Sequence, residues 1–500
     1  MRSRTLALFR VTLFSIMGLL SACALQEAPP ARPVPAVRER PGVSKPVGPG
    51  FYLPVLALGG REPYLIWASL EGRNGSGVFL SRSGTDGQTW RDPISLNPDR
   101  QRNAVGRQLV ADGKGNVYAL WGAGLRTPRS EIIFTRSEDH GATWAEPISL
   151  YQAAELHTPW LIRDPTGTLY AVLPHGPEGN WSLAVARSSD RGKNWERLPT
   201  LTAALGGNTY MGIRMANVVA DHLGELHVVW EEKDRPATER IYYSRFTPES
   251  GDGGGWLSRP IQLSAGRPDS SGAYRPRISI DREGHLFVVW TESWLPSGLR
   301  EGRHPQSVYF TTSNDYGRTW LPHPVQLSQS GPGSVSAVAT DVEVASNGKG
   351  QVYVVWREDE GFPPIERVMF VASPDYGSTW TPEPRRLYQS PPKLFMVGSF
   401  SLRAGGLDHV YLVWQMAGTA WRPLFMASGD RGATWPSTPT SLAHLPQLDV
   451  GGRNISFEAD GPALYAAWDG GRKEQRDIFV NRSLDSGLTW LPTELQVTRR

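Results

Sequence analysis

Ser137, Glu138, Asp139 and His140 fall within one stretch of eight residues that closes on Trp144. A hydroxyl, two carboxylates and an imidazole at this spacing are the residue types of a hydrolytic centre. A base beside the hydroxyl would make a nucleophile, and a second acid would supply a proton. A catalytic group is needed once, however, and this octet recurs. Ser-x-Asp-x-Gly-x-Thr-Trp is intact at Ser137–Trp144, Ser313–Trp320, Ser373–Trp380, Ser428–Trp435 and Ser483–Trp490. Ser188–Trp195 carries Asn194 for the threonine, Ser83–Trp90 carries Thr85 for the aspartate, and Ser250–Trp256 is one residue short. The octet is therefore read as structural. Its Ser and Asp side chains can accept turn N–H groups, its Gly permits positive φ, and its Trp can pack on a sheet. His140 belongs to one copy only and is expected to be a solvated turn residue.

The elements that carry the octets repeat with them. The closing tryptophans lie between 51 and 64 residues apart, which is a repeat architecture. Before each octet runs a short apolar segment, usually ending in Trp: YLIW67, VYALW121, LYAVL173, LHVVW230, LFVVW290, VYVVW356, VYLVW414 and LYAAW468. A turn and another strand-like run precede most of these, and a Pro-containing strand follows the octet. Each repeat reads as four strands, A to D. Such a unit cannot bury both faces alone, whereas a radial array can, with short protected edges. The expected fold is all-β: an eight-bladed β-propeller of four-stranded antiparallel blades over residues 51–500.

Composition agrees. Gly 53 and Pro 41 are high for 500 residues and favour tight turns and short strands over helices. A net charge of +3 is too small to argue for nucleic acid or an anionic membrane surface as partner. The single cysteine excludes an intrachain disulfide. Residues 1–22 have signal-peptide grammar: basic residues, an apolar stretch, then Leu20-Ser21-Ala22 before Cys23. Leu20–Cys23 resembles a bacterial lipobox, which implies lipidation of Cys23. Ala24 in the next position implies sorting to the outer membrane. Residues 23–50 are Pro-rich and read as an extended tether.

What remains after subtracting the repeat is where function should lie. Four tryptophans neither close an octet nor end a second strand: Trp160, Trp181, Trp294 and Trp421. Strand direction puts the D–A and B–C connections on one face of the disc, so all four can sit near the same mouth. There they would stack on sugar rings or simply pack between loops. Counting back seven residues from the A–B turn reaches Tyr52, Val105, His157, Arg214, Tyr274, Thr340 and Gly398, with Arg453 or Asn454 in the last repeat. Arg107, Arg275 and Arg277 are close by. First strands line a propeller's axis, so these guanidiniums can point into the mouth, and arginine forks recognise carboxylates. Acids at the B–C ends, including Glu71, Glu231, Glu232, Glu292, Glu358, Asp359 and Asp469, would either serve the ligand or neutralise the arginines. No metal ligand set and no cofactor is expected.

The octet resembles the Asp-box, or BNR repeat, of the sialidase superfamily, and the resemblance covers nearly all of the chain after the tether. It implies a propeller in which the octet is a fold element. The family's catalytic motifs match only in part. Where sialidases have Phe/Tyr-Arg-Ile-Pro, with an Arg that holds the substrate carboxylate, this chain has Phe51-Tyr52-Leu53-Pro54. The Glu-x-Arg segment is present as Glu71-Gly72-Arg73, yet Asn74–Val78 supplies no acid/base Asp. The family's Tyr nucleophile has no identifiable match, and six blades rather than eight are usual. The expected function is a sialidase-like lipoprotein that binds an anionic glycan or similar acidic ligand. A glycoside hydrolase of exo-sialidase type with a rearranged site, and a protein-docking scaffold, stand as alternatives.

Overall fold

The computed structural model describes residues 50–70, 76–97, 104–177, 181–202, 211–234, 238–248, 254–264, 270–294, 306–328, 338–360, 365–391, 394–406, 408–417, 422–444, 450–472 and 475–498. Met1–Pro46, with Cys23, lie outside them, and Val47–Arg500 form one compact unit.

Strand formation follows the apolar pattern. The second strands are apolar on both faces because both faces are covered: all seven residues of Val117–Ala123 are buried. First strands alternate, as in Ala104–Ala111, and fourth strands are short and exposed, as in Ile94–Ser95. Consecutive strands pair antiparallel. Four-stranded sheets begin at Gly50–Gly59, Ala104–Ala111, Trp160–Arg163, Phe395–Gly405 and Val450–Asp460. The middle of the chain is one thirteen-stranded sheet, in which meanders starting at Met211–Ala220, Ser270–Ile280 and Val338–Ser346 are joined by single parallel pairs, Glu239↔Gly272 and Gln306↔Val338.

Neighbouring repeats share cores. Tyr118, Leu120 and Phe134 pack with Leu169, Ala171 and Ala184, and so on along the chain. The last repeat packs on the first: Leu56 and Trp67 share a cluster with Tyr465 and Val480, and Leu56 N–H donates to Ser456 Oγ at 2.9 Å. The fold is a β-propeller.

The octets are turns that pin one repeat to the previous one. Ser137 Oγ accepts the N–H of Gly141 at 2.9 Å, and Asp139 accepts the N–H and hydroxyl of Thr143 at 2.8 and 2.6 Å. The same bonds recur at Ser313, Ser373, Ser428 and Ser483. The glycine is required twice over. Gly317 has φ +75°, and a Cβ there would lie 1.8 Å from the Tyr243 hydroxyl of the preceding repeat. The octet tryptophan meets the same ring edge-on, as Trp320 does with Tyr243 at 4.8 Å and Trp380 with Phe310 at 4.8 Å. In the shortened octet Trp256 instead meets Phe246 of its own repeat and reaches back to Pro199 O at 2.7 Å. His140 takes φ +57° and, rather than being solvated alone, bonds Glu62 of the first repeat at 2.7 Å.

A pH dependence follows. The hydroxyl and N–H of Thr143 hold Asp139 down at about 2, against an ordinary 3.8, and the N–H and side chain of Asn194 do the same for Asp190. A carboxylate depressed on folding contributes stability that is complete above its unfolded value and lost as pH falls through the folded one. The protein should therefore lose stability between pH ~4 and ~2. Asp139→Asn should flatten that slope in chemical denaturation series. A wild-type slope of zero across this range would contradict the account.

Candidate functional site

The first strands are bulged at the positions reached by counting back from the A–B turn. Register shifts lie between Val105 and Gln108, Arg214 and Asn217, Tyr274 and Arg277, and Thr340 and Glu343. The residue after each counted position is left-handed: Gly106 at φ +62°, Met215 at +44°, Arg275 at +52° and Asp341 at +51°. Only the first of these is glycine. Bulges turn side chains and N–H groups out of the ladder, and here three consecutive repeats do so beside one another.

Between these three repeats opens a cavity of about 340 Å³ lined by Met215, Glu231, Glu239, Tyr274, Arg275 and Thr340, with Thr291 and Gln306. The N–H that the bulge frees at Arg275 donates to Glu231 Oε2 of the previous repeat at 3.1 Å. The Arg275 guanidinium reaches Asp341 at 3.3 Å, and Asp341 meets Arg357 at 3.1 Å, which in turn meets Asp359 at 3.4 Å. A ladder of alternating charge thus crosses the mouth. Within it Asp341, Arg357 and Asp359 are largely buried, whereas the Arg275 side chain is 53% exposed.

Beside the ladder, Tyr274 donates its hydroxyl to Glu239 Oε2 at 3.1 Å, and Lys233 holds Oε1 of the same carboxylate at 3.0 Å. Burial, reinforced by the negative Glu239, pushes the Tyr274 phenol up to about 12, so it remains a donor at neutral pH. The cavity therefore presents a phenol oxygen whose proton is held by Glu239, two carboxylates and a half-exposed guanidinium. Paired carboxylates and a guanidinium can bind vicinal hydroxyls and one anionic group.

Residues 187–198 match the BNR-Asp box repeat family, and the hydrogen-bonded octet spans Ser188–Trp195 within them. The chain thus carries a BNR-Asp box repeat at these residues. Its fold is similar to that of polysaccharide lyase Uly1, at 10% identity over 87% of this chain and 90% of that one, with a TM-score of 0.48. It is also similar to a PL25 ulvan lyase bound to -[GlcA(1-4)Rha3S]-, at 11% identity, 74% and 92% coverage and a TM-score of 0.44. A third similar structure is the alpha-L-arabinanase of Penicillium chrysogenum complexed with arabinobiose, at 13% identity, 66% and 93% coverage and a TM-score of 0.38. No match was found among curated protein sequences.

In this propeller the residues singled out from sequence fall into several places. Tyr274, Arg275 and Glu231 line the cavity together. Arg277 is engaged lower on the first strand, with Glu343 at 2.9 Å, one of several bonds that stitch neighbouring first strands; Arg403 with Glu458 at 3.2 Å is another. Arg107 is buried, donates to Ala104 O at 3.2 Å, and is held down at about 10 by burial, with Asp469 opposing. His157 is buried with its ring 4.2 Å from Trp181 and a contact to Gly176 O at 3.0 Å. Trp160 and Trp181 are partly buried against the core of the third and fourth repeats. Glu292 is buried and accepts Trp290 Nε1–H at 3.4 Å. Arg73, Trp421 and Cys23 lie outside the described residues, as do the side chains of Tyr52, Arg214, Trp294 and Arg453.

Sequence reasoning missed Glu239, Met215, Asp341 and Arg357. Glu239 sits at the start of a third strand, where no count pointed, and only the pairing Glu239↔Gly272 brings it to the next repeat. The bulges had one readable sign, Gly106; Met215, Arg275 and Asp341 adopt the same backbone with residues that do not announce it.

Proposed function

We propose that this protein is a membrane-anchored propeller that binds a glycan bearing an acidic group in the cavity between the bulged first strands. The observation that carries the reading is the convergence there of Glu231, Glu239, Tyr274 and the half-exposed Arg275. The carboxylates and the phenol suit sugar hydroxyls, and Arg275 suits the acidic substituent. The ring is taken as eight-bladed, one blade for each octet; the grouping of strands into meanders supports this.

Simple sialosides should not be turned over appreciably, because the chain has Tyr52 at the motif position of the clamp arginine and no Asp after Arg73. Loss of a general acid alone costs a factor of about 10²–10⁴. A glycan array together with a fluorogenic sialoside assay tests both halves. Binding confined to neutral glycans, or none at all, would count against the ligand class, and robust sialoside cleavage would overturn the inactive assignment. A rearranged glycosidase site is the second reading, favoured by the Tyr274–Glu239 contact, since a phenol beside a carboxylate can exchange a proton.

Anchoring rests on Cys23 at the end of the apolar N-terminal segment. An acyl chain contributes about 0.8 kcal/mol per buried methylene, so a multiply acylated terminus holds stably to a bilayer, here proposed as the outer membrane. Cys23→Ser should move the protein to the soluble fraction. Equal membrane retention of the variant would remove the lipid anchor from the account.

A further inference from the structure

The turn that opens the second strand of the fourth repeat departs from its sisters at two positions that meet in space. In three sister turns an acid or amide opens the turn and accepts the N–H groups two and four residues on, and in a fourth Asp164 accepts those three and four residues on. Asp112 accepts from Lys114 and Asn116, Asp281 from Glu283 and His285, and Asn347 from Lys349 and Gln351. In two of them the fourth-on side chain also meets the other carboxylate oxygen: Asn116 donates to Asp112 at 2.6 Å, and His285 Nδ1 lies 2.8 Å from Asp281. Asp221 accepts the same two N–H groups, but its fourth-on residue is Glu225, which has no proton to give as a carboxylate. Six residues on, where the sister turns lead to Tyr118, Tyr170, Phe287 and Tyr353, stands His227.

The three side chains are buried, and one ligand-capable atom of each lies within 4.8 Å of the others. His227 Nε2 is 3.4 Å from Asp221 Oδ2. That is long for a hydrogen bond in a buried pair. It matches the ~3.4 Å between neighbouring ligands of a tetrahedral zinc ion with bonds of about 2.1 Å. His227 Nδ1 is 2.8 Å from the Tyr243 hydroxyl, which fixes the ring with Nε2 towards the acids, as outer partners of ligating histidines do. Glu225 Oε1 accepts Thr247 at 3.1 Å and faces Arg245 at 3.6 Å and Arg318 at 4.0 Å, while Oε2 is buried with no hydrogen-bond partner among the described residues. Arg245 is itself committed to Tyr316 O at 2.9 Å in the next repeat.

We propose that Asp221, Glu225 and His227 hold a divalent transition-metal ion, zinc by ligand type, at the junction of the fourth and fifth repeats. One imidazole with two carboxylates suits zinc rather than calcium, which takes oxygen ligands in larger number. A buried site loads as the chain folds, and its binding free energy becomes folding free energy. The role is structural, distinct from the cavity at the mouth, and stands whether or not a glycan binds there.

The test uses the full chain without a histidine tag, produced in zinc-supplemented medium and desalted. Zinc per chain is measured by mass spectrometry, and the unfolding temperature is followed before and after a chelator in mild denaturant. The wild type should retain about one zinc per chain and melt lower once stripped. Two variants restore the sister residue types: His227→Tyr and Glu225→Gln. Either, if folded by circular dichroism, should fall below about 0.1 zinc per chain and lose the chelator effect. The milder Glu225→Gln decides the matter if His227→Tyr fails to fold. Wild-type zinc below that level, retention of calcium or manganese in its place, or unchanged zinc in the folded variants would each overturn the proposal.

Discussion

Trp230→Ala should destabilise the propeller by about 3–5 kcal/mol, the range for deleting a fully buried tryptophan. Trp230 is fully buried in the middle of its second strand, Leu226–Asp234, and packs with Val228, Tyr242 and Ile213 in the core between the third and fourth repeats. Its Nε1–H also donates to the buried Glu232 at 3.0 Å, so truncation takes away a donor as well as a ring. The equivalent Trp356 is equally buried, but its Nε1 has no hydrogen-bond partner among the described residues. Replacing each by phenylalanine separates the two contributions. Trp230→Phe should cost more than Trp356→Phe by about 1–3 kcal/mol, the penalty for removing one partner of a buried hydrogen bond. Denaturant midpoints measure both. Equal losses for the two Phe variants would show that the Glu232 bond contributes nothing, and a Trp230→Ala loss below about 1 kcal/mol would contradict the buried role.

Arg275→Ala should lower affinity for an acidic glycan by about tenfold or more, equivalent to about 1.4 kcal/mol. Its guanidinium is the half-exposed member of the charge ladder, and its aliphatic stem contributes little to a core. The unfolding temperature should therefore change little. Binding should also weaken with salt. The screening length falls from about 30 Å at 0.01 M to about 8 Å at 0.15 M, which damps attraction to an exposed charge. Glu239→Gln probes the sugar-hydroxyl side of the same cavity. It keeps the size of a group that meets both Tyr274 and Lys233 and removes its charge, so it should weaken neutral and acidic glycans alike. Calorimetric titration at two salt concentrations distinguishes these cases. Unchanged affinity in the Arg275 variant, or binding indifferent to salt, would move the ligand away from this cavity.

The amino-acid sequence by itself determined the repeat, the four-stranded order within it and the role of the octet. These depend on short-range chemistry: period-two burial, a serine and an aspartate capturing N–H groups within four residues, and a glycine able to take positive φ. The Ser137–Trp144 octet could be assigned to structure because its copies were visible along the chain. Ring packing decided the rest. Which ring an octet tryptophan meets, Tyr243 for Trp320 but the same-repeat Phe246 for Trp256, is settled only as neighbouring repeats pack. Sequence placed Arg107, Arg275 and Arg277 near one another, and only packing separated them into a buried guanidinium, a half-exposed one and a first-strand stitch to Glu343. Glu239, Arg275 and Asp341 come from three successive repeats and approach one another through a parallel pairing and bulges built on non-glycine residues. Asp221, Glu225 and His227 looked in sequence like one more turn before a strand; their burial together, within reach of one another, is what sets them apart. Charge pairing and burial are sums over neighbours distant in the chain, so their outcome is fixed only when the ring is closed.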